Sequence, residues 1–152
     1  MKTLALGIAA LALVSSVAWA DDMITATPQS LKWGPAPPFF EKGSQITVIA
    51  GDPFKPGEYT LRLMMPKGYK IAPHFHPTTE NVTVIKGTFH IAMGDKLDPK
   101  SGTTLKAGGF VSLPAQMHHY AWASGATIVQ VHGEGPFAIT YINPADDPRN
   151  RK

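Results

Sequence analysis

Turn-forming residues cut this chain into short lengths, and that fragmentation limits its possible folds more than any other feature. It carries 14 prolines and 14 glycines, spaced so that a turn falls about every eight to twelve residues. Beyond the N-terminal stretch, no segment keeps a helical period. The pattern predicts a sandwich or barrel of short antiparallel strands. The expected strands are Gln45–Ala50, Tyr59–Met65, Tyr69–His76, Glu80–Lys86, Thr88–Met93, Thr103–Leu105, Phe110–Leu113, Met117–Ala123, Ala126–His132 and Phe137–Ile142. Gly94-Asp95, Ser101-Gly102 and Ser124-Gly125 are turn sites.

The ends of the chain read differently. Lys2, the apolar run Leu4 to Val14 and the small-x-small Ala18-Trp19-Ala20 read as a signal peptide over residues 1–20, cleaved near Ala20–Asp21. A periplasmic or secreted protein is expected, with no membrane anchor, because the run is short for a span. Residues 21–44 form a proline-rich arm, 45–142 the barrel and 143–152 a polar tail expected to fray. Within the arm, proline donates no backbone hydrogen bond, so residues 31–40 cannot be a regular central strand. Trp33, Phe39 and Phe40 should anchor the arm on this barrel or on a neighbour's. The formal charge is only +3, and the basic residues are scattered, so no nucleic-acid partner is expected. With no cysteine, disulfides, thiolate ligands and a lipoprotein anchor are excluded.

Chemistry concentrates at His74-Phe75-His76, with Glu80 after a short Pro77-Thr78-Thr79 turn and His119 far downstream. Side chains at i and i+2 of a strand leave from one face, so His74 and His76 can reach one ion together. The plainer reading makes them polar residues at a strand edge. Inward-facing His74 and His76 would turn Tyr69, Ile71 and Phe75 outward. An inward His119 would turn His118, Tyr120 and Trp122 outward, giving aromatic faces that a second layer, the arm or a dimer partner should cover. Val82 and Val84 share the inward face with Glu80, so the cavity should be mostly apolar. Gln130 and His132 share the parity of Ile128 and could line it too. His90 reads as a surface or interface histidine. Met64, Met65, Met93 and Met117 read as packing residues rather than a copper site.

The stretch from Gly68 through His74, His76 and Glu80 to Gly87 resembles the first motif of the cupin superfamily: glycine, His-x-His, glutamate and glycine at the family spacing. Gly108, Pro114 and His119 resemble the second, 20 residues on. Two positions depart from the pattern: Gln116 stands where the family has glycine, and Ala123 where it has asparagine. The resemblance covers residues 45 to 142 and implies a small single-domain cupin, an all-β double-stranded β-helix (jelly-roll) barrel. It selects His119 over His118 and makes His74, His76, Glu80 and His119 the ligands of one divalent transition metal.

Imidazole and carboxylate suit Fe, Mn, Zn or Ni. Four protein ligands on an octahedral ion leave two positions open for a small molecule. The expectation is a metal-dependent enzyme on a small-molecule substrate, an oxygenase first and a lyase or isomerase next. The alternative is a non-catalytic module that binds a small ligand or metal. An enzyme needs a proton-shuttling or substrate-clamping group; Arg62, Tyr59 and Tyr141 are the candidates, and no motif places a catalytic residue. A homodimer through the aromatic outer face is expected.

Overall fold

The computed structural model describes residues 23–151, so the expected signal peptide lies outside the described residues. Eleven strands follow in order: β1 (Gly34–Pro35), β2 (Gln45–Ala50), β3 (Gly57–Met65), β4 (Lys70–Phe75), β5 (Glu80–Lys86), β6 (Thr88–Met93), β7 (Thr103–Lys106), β8 (Phe110–Leu113), β9 (His119–Ala123), β10 (Thr127–Gly135) and β11 (Thr140–Tyr141). They form two antiparallel sheets, ordered β1-β2-β3-β10-β5-β8 and β11-β4-β9-β6-β7. This is the double-stranded β-helix barrel that the turn spacing and the motifs predict.

Each long strand alternates as a half-buried strand should. In β3, Tyr59, Leu61, Leu63 and Met65 face inward; in β5, Glu80, Val82 and Val84 do. Tight turns hold the registers. Gly87 joins β5 to β6 at φ +86°, and a Cβ there would come 2.5 Å from the Ala126 carbonyl, so only glycine fits.

Strand β4 departs from simple parity. Its pairing with β9 slips between Ile71 and His74. Pro73 lies within the slipped stretch and has no N–H to give the ladder, a usual cause of a bulge. Ile71 and His74 therefore both face inward, and Ile71 is buried rather than outward as expected. Tyr69 is buried as well, its hydroxyl 2.9 Å from Ser44 Oγ. Phe75 does point outward and stacks on His118 with ring centroids 5.3 Å apart.

Tyr120 lies on the outer face yet is buried. Its cover is the loop between β6 and β7: the hydroxyl lies 2.7 Å from Ser101 Oγ and donates to the Asp98 carbonyl at 3.3 Å.

The arm packs on its own barrel. Gly34–Pro35 adds an edge strand to β2, where proline is tolerated, and Phe40 enters the core. The tail is not frayed. Two 3-10 turns, Pro144–Asp146 and Pro148–Asn150, carry Arg149 onto Asp147 at 2.6 Å and Arg151 onto Glu41 of the arm at 2.7 Å. Asn143 and Asp147 cap the turns, which gives the polar sequence local hydrogen bonds.

Candidate metal centre

The topology makes the site. β4 and β9 are neighbours, and His74 is the direct partner of His119 in their ladder. His76 follows just beyond β4. Glu80 opens β5 in the facing sheet, so one carboxylate meets three imidazoles across the barrel. All four are buried, with 2–9% exposure.

A turn at residues 114–117 brings His119 into place. Gln116, at the glycine position of the motif, adopts φ +65°, the left-handed conformation that glycine favours. Its N–H donates to the His76 carbonyl at 2.9 Å, joining the two motifs directly.

Each histidine is held through Nδ1. The ring nitrogens of His74, His76 and His119 meet the carbonyls of Ala72, Ala138 and Met117 at 2.7, 2.7 and 2.9 Å. A carbonyl can only accept, so every Nδ1 carries a proton and every neutral ring presents its Nε2 lone pair. One ligand atom from each ring lies within 4.8 Å of the others. Glu80 Oε2 is 3.4 Å from His76 Nε2 and 3.6 Å from His119 Nε2. Among the described residues, His76 Nε2 is the buried side-chain nitrogen or oxygen left without a hydrogen-bond partner, a costly omission unless something else occupies the site. Donor type, tautomer and the orphaned nitrogen all fit a divalent transition metal.

Burial first, and then the neighbouring His119 and His76, hold the His74 pKa down to about 3. Burial also pushes His76 down, but the Glu80 carboxylate and the Ala138 carbonyl outweigh it and lift its pKa above 6.5. Burial would raise Glu80; His76 and His119 overcome that and hold the carboxyl well below its usual range. A buried carboxylate therefore persists beside imidazole donors, the charge state a cation needs.

The other sequence candidates fall elsewhere. Val129 and Val131 line the cavity, whereas Gln130 and His132 point away. The alternation of Val129 and Val131 is the signal for this, and Ile128 lies on the outer side. Gln130 accepts from Arg62 Nε at 3.1 Å on that face. Tyr141 donates to the Phe39 carbonyl at 2.7 Å, and Tyr59 packs edge-on against Phe137. His90 stacks on Trp122 and bonds Thr104 and Ser124. His118 pairs with Asp95 at 2.6 Å, outside the cavity. Met65 and Met117 pack in or against the core, while Met93 is 67% exposed. Phe40, Phe137 and Ile139 wall the cavity without having been singled out by any motif.

A model of the ChrR cupin-like domain matches residues 21–138. No curated protein matches the sequence. Among solved structures, the polyketide cyclase RemF of Streptomyces resistomycificus superimposes with a TM-score of 0.68 at 14% identity, over 83% of this chain and 89% of that one. An acetylacetone dioxygenase of Acinetobacter johnsonii gives 0.65 at 15% identity, over 90% and 88%. An RmlC-like cupin of Shewanella frigidimarina gives 0.57 at 16% identity, over 72% and 87%. At these identities the likeness is one of fold.

Proposed function

This chain belongs to the ChrR cupin-like domain family, and from that premise we propose that it is an exported, metal-dependent cupin enzyme acting on a small, partly apolar molecule. The observation that carries the reading is the set of three Nδ1–H bonds to backbone carbonyls, which aim three Nε2 lone pairs at one point beside Glu80. His74, His76 and His119 would hold one divalent ion, with Glu80 as the fourth, charge-compensating ligand. Such an ion supplies Lewis acidity and open coordination positions.

The chain's own residues do the rest. The three carbonyls fix the imidazole tautomers. Val82, Val129, Val131 and Ile139 exclude bulk water, which strengthens every electrostatic interaction inside. Glu80, kept ionised by His76 and His119, would offset the charge of the ion. Oxygenase chemistry is the first choice, since an apolar chamber suits dioxygen and an uncharged substrate. The acetylacetone dioxygenase among the similar folds agrees with that choice, though fold alone does not set a reaction.

A non-catalytic small-ligand or metal-binding module is the second reading. It is favoured by the cavity lining, which among the described residues holds no titratable group besides the three histidines and Glu80.

The test is elemental analysis of protein purified anaerobically without added metal, followed by an oxygen-uptake screen. Near-stoichiometric iron or manganese with substrate-dependent uptake supports the oxygenase. Bound metal with no turnover supports the binding module. No metal after reconstitution overturns the enzyme and leaves a barrel that binds a small ligand without an ion.

Export rests on the N-terminal residues, and a mature terminus at Asp21 is the expected sequencing result. A homodimer rests on Phe75 and Trp122, both half-buried on the outer face; light scattering at the monomer mass would overturn it.

A further inference from the structure

The space around the histidines is much smaller than the number of side chains lining it suggests. Its free volume is about 30 Å³, far below the roughly 150 Å³ of an interior cavity that takes up benzene. One wall comes from outside the barrel: Phe40, in the arm, is 6% exposed and lines the cavity. Its ring stacks on Phe137 at 6.3 Å and 18°, and Phe137 stacks on His76 at 5.1 Å and 29°. An aromatic column thus runs from the arm to a metal-binding imidazole.

The backbone on both sides of Phe40 is pinned. Tyr141 Oη donates to the Phe39 carbonyl at 2.7 Å, and Tyr69 Oη donates to the Glu41 carbonyl at 2.8 Å. Arg151 reaches the Glu41 carboxylate at 2.7 Å, and the Arg149 guanidinium sits 6.0 Å from the Phe39 ring centroid. Four side chains from the barrel and the tail thus hold the two residues flanking Phe40. A segment that merely covered apolar surface would not need carbonyl-by-carbonyl fixing.

We propose that Phe40 is the size filter of the metal cavity, admitting ligands of a few heavy atoms to His74, His76 and His119 and excluding ring-sized ones. The proposal rests on the metal-centre reading above and narrows its ligand class. Among the described residues no lysine or arginine lines the cavity, so the ion itself would be the one counter-charge to an anionic ligand, and multiply charged ligands would be poorly compensated. The class is therefore small, neutral or singly charged molecules that bind through the ion. Interior cavities of roughly 150 Å³ lined by aliphatic and aromatic groups take up benzene, so removing the Phe40 ring frees space of the kind a larger ligand needs.

The experiment loads wild type, Phe40→Ala and Phe40→Leu with Co(II) and follows the visible absorption bands during titration with azide and with 4-phenylimidazole. Azide should shift the bands in all three proteins with affinities within about threefold. 4-Phenylimidazole should bind Phe40→Ala at least tenfold more tightly than wild type, with Phe40→Leu between. If Phe40→Ala does not fold, Phe40→Leu against wild type carries the comparison. Azide binding with 4-phenylimidazole admitted equally, or excluded equally, across the proteins overturns the filter alone. Azide leaving the bands of every protein unchanged overturns the open metal centre, and the filter with it.

Discussion

His74 and His119 face each other across the β4–β9 ladder, and each gives its Nδ1 proton to the carbonyl two residues before it, Ala72 at 2.7 Å and Met117 at 2.9 Å. The two rings are oriented by the same local device from adjacent strands, with centroids 4.2 Å apart. Both backbone bonds would survive mutation of the other ring, which makes the ligands separable by experiment.

Replacing His119 with alanine should lower metal affinity at least tenfold, because one of three converging Nε2 donors is lost. Replacing His118, which pairs with Asp95 outside the cavity, should change it by less than about twofold. Competitive titration against a chromophoric chelator measures both; the opposite ranking would move the second motif by one residue.

Metal binding should weaken as pH falls, with the onset above 6.5. His76 is the imidazole whose pKa is raised, by the Glu80 carboxylate against its own burial. An incoming ion must displace that proton. Affinity is therefore highest above the raised value and drops as the proton returns. Retained metal after equilibration from pH 8 to pH 5 reads the profile, and a flat one would exclude His76 as a ligand.

Without metal, acid should destabilise the fold through His74. Its pKa falls from 6.5 in the unfolded chain to about 3 in the folded one. The unfolded state then binds more protons between those values, so stability is complete above 6.5 and declines as pH drops towards 3. A single group contributes at most about 1.4 kcal/mol per pH unit. Glu80 adds the same sign, present above 4.5 and lost as pH falls through its depressed value. His76 has the opposite sign, stabilising below 6.5 and losing that contribution as pH rises through its raised value. Thermal unfolding of chelator-treated protein should show a shallower acid slope in His74→Gln than in wild type.

Gln116 holds a left-handed conformation at φ +65°, which costs a residue with a Cβ about 1–2 kcal/mol. Gln116→Gly should raise stability by about 0.5 kcal/mol, after the extra freedom glycine gives the unfolded chain. Gln116→Val should lower it by about 1–2 kcal/mol, since β-branching worsens the clash. Denaturant midpoints distinguish the two, and a neutral valine would mean that the turn is not under strain.

Tyr141→Phe removes the donor to the Phe39 carbonyl, a bond between residues 102 apart in sequence. A loss of about 1 kcal/mol is expected from the missing, part-buried hydrogen bond. Amide exchange in residues 36–44 should quicken more than in β5, whereas equal changes would mean a global effect.

Much of this was legible in the chain because the barrel obeys local rules. Period-two alternation and frequent turns give eight strands within two residues at either end; β10 runs three residues past the expected His132 to Gly135, and the last, Phe137–Ile142, shrinks to Thr140–Tyr141. His74 and His119 belong to those strands and His76 directly follows one, so their convergence follows from topology. What failed depended on events that parity does not encode. Pro73 bulges β4 and turns Ile71 inward. Tyr120 is covered by a loop whose path is not periodic. Gln130 and His132 share the parity of Ile128, which faces outward, while Val129 and Val131 form the apolar wall. Phe40 belongs to no strand; only the fold brings it to Phe137, nearly a hundred positions later in the chain.

That last distance orders events in time. The arm precedes in the chain the residues that fasten it, Tyr141 and Arg151, and is held only once they dock on it. Until then Phe40 has no fixed seat, and the histidines stand open on one side. Closing so long a loop is entropically the dearest contact in the arm, so it should form late in folding. An ion would therefore enter most easily in that interval, and the finished clasp would then slow its escape.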